Sequence, residues 1–94
     1  MITRKGDRYF VEGPITLVGI DALMAEGGRS LEGAEVLVDF SRAEAVDSSA
    51  VSLMLEWKRR LDDQKRRIAY TNLGENLSSL VELYGVAELI PLAD

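Results

Sequence analysis

The stretch Val36-Leu37-Val38-Asp39-Phe40-Ser41-Arg42-Ala43-Glu44-Ala45-Val46-Asp47-Ser48-Ser49-Ala50-Val51 gathers the residue types best suited to chemistry in this chain. It reads as a strand, a loop, and then an acid with two hydroxyls at the head of a helix. A helix N-terminus exposes unpaired N–H groups and a partial positive charge. Asp47, Ser48 or Ser49 can cap those groups, the everyday use of such side chains. The same place suits phosphorylation of Ser48 or Ser49, since a phosphate there would meet N–H donors. Asp39 and Asp47 flank the intervening loop and can orient it by accepting hydrogen bonds from backbone N–H groups. As paired carboxylates they also offer acid–base chemistry, but two carboxylates without further ligands make a poor metal site.

The rest of the composition narrows the chemistry. The chain has no cysteine, and so no disulfide, thiolate nucleophile or zinc-thiolate site. It has no histidine, the commonest metal ligand and the usual base near neutral pH. No cofactor or metal is expected, no Gly-rich phosphate loop is present, and the reading is of a protein that is not an enzyme. A net charge of −5 argues against broad nucleic-acid binding. Lys58, Arg59, Arg60, Lys65, Arg66 and Arg67 nonetheless place six of the eleven basic residues within ten positions. That cluster reads either as a solvated helix end or as a small anion or headgroup site. The first ten residues carry charges and no apolar run of signal-peptide length, and no stretch is long and apolar enough to span a membrane. The expectation is one soluble, cytoplasmic domain over residues 1–94 without direct membrane insertion.

Several elements must position the Asp-Ser-Ser stretch. Ile2-Thr3 and Arg8 to Glu12 read as a β-hairpin about Gly6-Asp7, ended by Gly13-Pro14. Thr16 is expected to cap a helix bearing Leu17, Ile20, Leu23 and Met24 on one face, with Gly27-Gly28 as its stop. Val36 to Phe40 is a β-rich apolar run, expected as a strand buried on both faces, and Ser41 to Val46 as a polar loop. Ala50, Val51, Met54, Leu55 and Leu61 share one side of a helix running to about Gln64, with Lys58 snorkelling from the same arc. Arg67 to Thr71 makes another strand, and Leu77, Leu80, Val81 and Tyr84 line a final helix closed by Gly85. Strands alternating with helices predict an α/β fold with a mostly parallel sheet.

The run from Val38-Asp39-Phe40-Ser41 through a short loop to Val46-Asp47-Ser48-Ser49-Ala50-Val51 resembles the signature of STAS domains. That signature is commonly an Asp, a Ser or Thr, a small or hydroxyl residue, a Gly and an aliphatic residue; Ala50 stands here at the Gly position. The resemblance continues through Tyr70-Thr71-Asn72-Leu73 to Leu83-Tyr84-Gly85-Val86-Ala87-Glu88-Leu89 and covers about Gly6 to Ile90. It implies a STAS-like, anti-sigma factor antagonist-like fold, a mixed, mostly parallel sheet flanked by helices with an N-terminal β-hairpin. Two branches of the family fit. In anti-sigma factor antagonists the second hydroxyl is phosphorylated by a partner kinase, which maps to Ser49. In the MlaB branch the important hydroxyl follows the Asp directly, which maps to Ser48. Both hydroxyls are present, and the motif alone leaves the choice open. The Gly6-Asp7 hairpin, the short chain and Ala50 lean toward MlaB.

By that resemblance the chain would be a non-catalytic subunit supporting the ATPase of a bacterial phospholipid-transport ABC transporter that maintains outer-membrane lipid asymmetry. Its partner would be an MlaF-like ATPase in complex with a membrane permease, at the inner face of the inner membrane; the alternative partner is an anti-sigma factor kinase. The helix residues outside the core arc are the expected contacts: Ser48, Ser49, Ser52, Glu56 and Arg59. Leu53 and Trp57 lie along its border, either as interface anchors or as the end of the core.

Overall fold

Gly6 adopts φ 62°, a left-handed conformation that costs glycine nothing, and so closes a tight turn at Gly6-Asp7. The turn joins β1 (Ile2–Lys5) to β2 (Arg8–Val11) in antiparallel register, Thr3 opposite Phe10. The computed structural model describes residues 1–93, and the remaining elements are β3 (Gly13–Ile15), α1 (Ile20–Ser30), β4 (Glu35–Asp39), β5 (Ala43–Val46), α2 (Ser48–Asp63), β6 (Arg67–Thr71) and α3 (Gly74–Leu83). A single 3₁₀ turn, Ala87–Leu89, follows. The main sheet has the order β1-β2-β4-β6, with β2, β4 and β6 mutually parallel. This is the mixed, mostly parallel α/β arrangement expected, with its N-terminal hairpin.

Side chains alternate across the sheet, and only one set is buried by apolar packing. Tyr9, Val11, Val36, Val38, Ile68 and Tyr70 join the core with Ile20 and Leu23 of α1, Leu53 and Met54 of α2, and Leu77 and Val81 of α3. Phe10, Leu37 and Ala69, which occupy the other face, are only half-buried. The Val36 strand is thus not buried by apolar packing on both sides. Fully burying one Leu, Val or Met side chain contributes about 1.5–3 kcal/mol, so the helix-facing set supplies most of the stabilisation.

Several local expectations need correction. Thr16 does not cap α1: the helix starts at Ile20 after Gly19 (φ 93°), and the Thr16 hydroxyl instead donates to the Val18 carbonyl at 3.4 Å. Leu17 lies in the preceding loop and is 75% exposed, not on a buried helix face. Gly27-Gly28 does not stop α1, which continues to Ser30. Gly27 is there because Trp57 packs directly on it: a Cβ would lie 2.3 Å from the indole. Residues 43–46 of the expected polar loop form β5, which pairs in parallel with β3, so Gly13-Pro14 is part of a small second sheet rather than a terminator. Tyr84 follows the last turn of α3 and is 52% exposed, while Gly85 (φ 67°) closes that helix as expected. Beyond the 3₁₀ turn the chain returns to the sheet, where Tyr70 N–H donates to the Pro91 carbonyl and Ala93 N–H to the Tyr70 carbonyl, both at 2.8 Å.

Candidate functional site

Asp39 ends β4 with its side chain only 1% exposed, which for a carboxylate demands partners. It has three. Arg8 Nη1 donates to Oδ2 at 2.7 Å, Asn72 Nδ2 to Oδ2 at 3.0 Å, and the Ser41 N–H to Oδ1 at 2.7 Å. Asn72 takes a left-handed backbone (φ 54°), tolerated by its short polar side chain, at the turn that brings its amide over the acid. Burial by itself would raise the Asp39 pKa, but the hydrogen bonds from Ser41, Arg8 and Asn72 outweigh it, and the carboxyl titrates below its ordinary value. Asp39 therefore orients the start of the loop as an ionised acceptor, and it joins the hairpin to the turn after β6.

Asp47 plays the corresponding part at the other end, with an addition the residue pattern did not foretell. Its backbone is extended, its Oδ1 accepts from the Ser49 N–H at 2.8 Å, and it is thereby the N-cap of α2. Its Oδ2 accepts from the Leu17 N–H at 2.9 Å, across to the loop between β3 and α1. The Leu17 and Ser49 N–H bonds hold its pKa below the usual carboxylate value. Neither acid is a spare carboxylate with a raised pKa of the kind a general acid needs. Among the described residues no group of three or more acidic side chains converges to hold a metal ion.

The helix that Asp47 caps buries Ala50, Val51, Leu53, Met54, Trp57 and Leu61. Leu53 is 0% and Trp57 1% exposed, which removes both from the expected contact surface. Leu53 closes the core, and Trp57 lies over Gly27 with its indole N–H donating to the Met24 carbonyl at 3.4 Å. Their helical angle is marginal, and the glycine of α1 tips the balance by making room for the ring. Ser48 and Ser52 stand exposed, and Ser49 is half-buried. Glu56 is held by Arg59 and Arg60, whose hydrogen bonds draw its pKa down to about 2. Elsewhere in the basic cluster Lys58 pairs with Asp62, and Arg66 donates to the Leu31 and Gly33 carbonyls.

The exposed side of α2 forms one wall of a groove of about 400 Å³ lined by Ser48, Val51, Ser52, Leu55, Tyr84 and Val86. Leu83 on the neighbouring α3 is 74% exposed, and Leu17 and Val18 beside the Asp47 cap are 75% and 89% exposed. The structure thus brings Ser48 and Ser52 together with Val51, Leu55, Tyr84 and Val86, and places Ser49 at the cap that the Leu17 N–H also reaches. The signal that could have found Leu17 and Val18 is Gly19, whose flexibility ends the helix pattern before it reaches them.

Residues 4–91 match a family model described as "Mlab, STAS domain". No curated protein matches the chain. Its fold is similar to that of the anti-sigma factor antagonist SpoIIAA in its unphosphorylated form, with a TM-score of 0.74 and 16% identity over 100% of this chain and 87% of that one. The phosphorylated form of the Bacillus cell fate determinant SpoIIAA gives 0.68 and 16%, over 100% and 90%. A sulfate transporter family protein from Wolinella succinogenes gives 0.67 and 15%, over 87% and 68%. At these identities the structural likenesses establish the fold. Among the described residues, no helix is long and apolar enough to cross a membrane.

Proposed function

The chain belongs to the MlaB-type STAS domain family, and on that premise we propose that it is a non-catalytic subunit that docks on the ATPase of a bacterial phospholipid-transport ABC transporter and supports it in maintaining outer-membrane lipid asymmetry. The observation that carries the reading is the exposed Ser48, first residue of a rigidly capped helix, bordering the apolar groove between α2 and Tyr84. A docking surface needs pre-ordered groups around an apolar centre, and the Asp47 cap and the Trp57–Gly27 packing supply the order. Ser48, Ser49, Ser52 and Glu56 make the polar part of the contact, and the membrane is reached through the permease that the ATPase serves. Replacing Ser48 with Glu tests this. A carboxylate at the first turn of a helix suits its dipole, so the fold is retained while bulk and charge enter the contact. Ser48→Glu should lose binding to the purified ATPase subunit; full assembly and undiminished transport by that variant would contradict the contact.

The second reading is an anti-sigma factor antagonist switched at Ser49, favoured by the half-buried position of that residue, whose backbone N–H donates to the Asp47 carboxylate. A phosphate there adds about −1.5 to −2 charges beside that carboxylate, enough to repel an acidic partner. Intact mass after incubation with the cognate kinase and ATP distinguishes the two, since only the switch gains phosphate.

A further inference from the structure

The Asp47 carboxylate makes one bond more than a helix cap requires. A cap needs the contact to Ser49 N–H alone. The second, to Leu17 N–H, braces the four-residue loop Thr16–Gly19, within which the Thr16 hydroxyl donates to the Val18 carbonyl and from which the Gly19 carbonyl accepts the Leu23 N–H at 3.1 Å; just before it the Ile15 carbonyl accepts the Asp47 N–H at 3.3 Å. At the tip of that loop Leu17 and Val18 are the most exposed aliphatic pair among the described residues. Isolated exposed aliphatics are ordinary. Two adjacent ones on a loop bonded to the residue that precedes Ser48 are a presented surface.

Charge indicates what would cover it. From Tyr9 to Gly28, from Ala43 to Trp57 and from Ile68 to Ala93 the chain has carboxylates and no Lys or Arg. Arg42, between the first two segments, is paired with Glu12 at 2.8 Å and stacks on Phe10. The remaining cations lie on the hairpin, at Arg29 and from Lys58 to Arg67. The segments that carry the loop tip and the groove therefore bear carboxylates and no cation.

We propose that Asp47 is a positioning residue that holds Leu17 and Val18 beside Ser48 as an apolar docking tip, and that the tip enters an apolar recess ringed by Lys or Arg on the ATPase partner. This rests on the docking reading above and extends it from α2 to a second element. Substitution separates the two bonds of Asp47. Asn and Ser cap helices about as well as Asp. The Asn amide, however, would turn a donor toward the Leu17 N–H, and the Ser hydroxyl is too short to serve both. Amide exchange on the free protein by NMR should therefore show Leu17 exchanging about tenfold faster or more in Asp47→Asn and Asp47→Ser, with the amides of α2 unchanged. Against the purified ATPase subunit, a Leu17→Ser/Val18→Ser double variant should bind about tenfold more weakly or worse, Asp47→Asn should weaken in parallel, and wild-type binding should fall with added salt. Unchanged Leu17 protection in both Asp47 variants, or wild-type affinity in the double variant, would overturn the proposal. A wild-type domain that does not bind the ATPase subunit overturns the docking reading and the role of the tip with it. That failure is told apart from the others because the exchange measurement needs no partner.

Discussion

Two adjacent glycines of α1 should respond to alanine in opposite directions. A Cβ on Gly27 would sit 2.3 Å from Trp57 Cε2, 2.4 Å from Nε1 and 2.5 Å from Cζ2. Carbon contacts are comfortable at about 3.5–4.0 Å, so the overlap is more than 1 Å against a ring that cannot swing away. Trp57 is 1% exposed and its indole N–H is tied to Met24. Overpacking of this kind costs about 1–3 kcal/mol, and a three-atom overlap belongs at the upper end. Alanine's helix propensity returns about 1 kcal/mol, leaving Gly27→Ala destabilised by about 2 kcal/mol. At Gly28 the nearest atom to a new Cβ is Arg60 Nη1 at 3.9 Å, and the propensity gain stands alone. Thermal unfolding followed by circular dichroism should place Gly27→Ala about 10 °C below the wild type and Gly28→Ala about 5 °C above it. In a Trp57→Leu background the Gly27 penalty should vanish, a coupling that a double-mutant cycle reads directly. Gly27→Ala as stable as Gly28→Ala, or a penalty that survives removal of the indole, would refute the reasoning.

Other consequences of the same contacts can be measured. Asp39→Asn removes the charge that Arg8, Asn72 and Ser41 are arranged around, and should cost about 2 kcal/mol at pH 7 in urea unfolding. Because the folded pKa of Asp39 lies below its unfolded value of about 3.9, its contribution is fully present above that pH and is lost as the pH falls through the folded value. The gap between wild type and Asp39→Asn should accordingly close in strong acid; a constant gap would contradict the assignment. Trp57→Ala should destabilise by about 3–5 kcal/mol, enough to unfold much of so small a domain, whereas partner binding to the wild type should leave Trp57 emission nearly unshifted. A large emission change on docking would return Trp57 to the interface.

What could be read from the sequence was set by the range of the interactions. The hairpin at Gly6-Asp7, the strands expected at Val36 to Phe40 and Arg67 to Thr71, and the helix after Asp47 follow from local rules of turn chemistry, period and capping; the structure has each of them, the first strand running Glu35–Asp39. Gly27-Gly28 reads locally as a helix stop, but the role of Gly27 is set by Trp57, a residue thirty positions away. β5 is not legible locally, because a strand of four residues, Ala-Glu-Ala-Val, has no pattern until β3 pairs with it. The site divides in the same way. A cap among Asp47, Ser48 and Ser49 is legible from the order Asp-Ser-Ser, and the outward Ser48 and Ser52 from the helical arc, while the structure makes Asp47 the cap. The burial of Leu53 and Trp57 and the bond from Leu17 to Asp47 depend on contacts between distant segments, which a helical wheel does not contain.

The central claim is that this domain works by docking on a transport ATPase, and isolation of the tagged protein from its source organism under gentle conditions tests it most directly. Wild type and Ser48→Glu would be isolated side by side and the bound proteins identified and quantified by mass spectrometry. The account predicts an ABC ATPase and its membrane permease with the wild type, both depleted with Ser48→Glu. A histidine-kinase-like anti-sigma factor in their place, or an ATPase retained in full by Ser48→Glu, would contradict it.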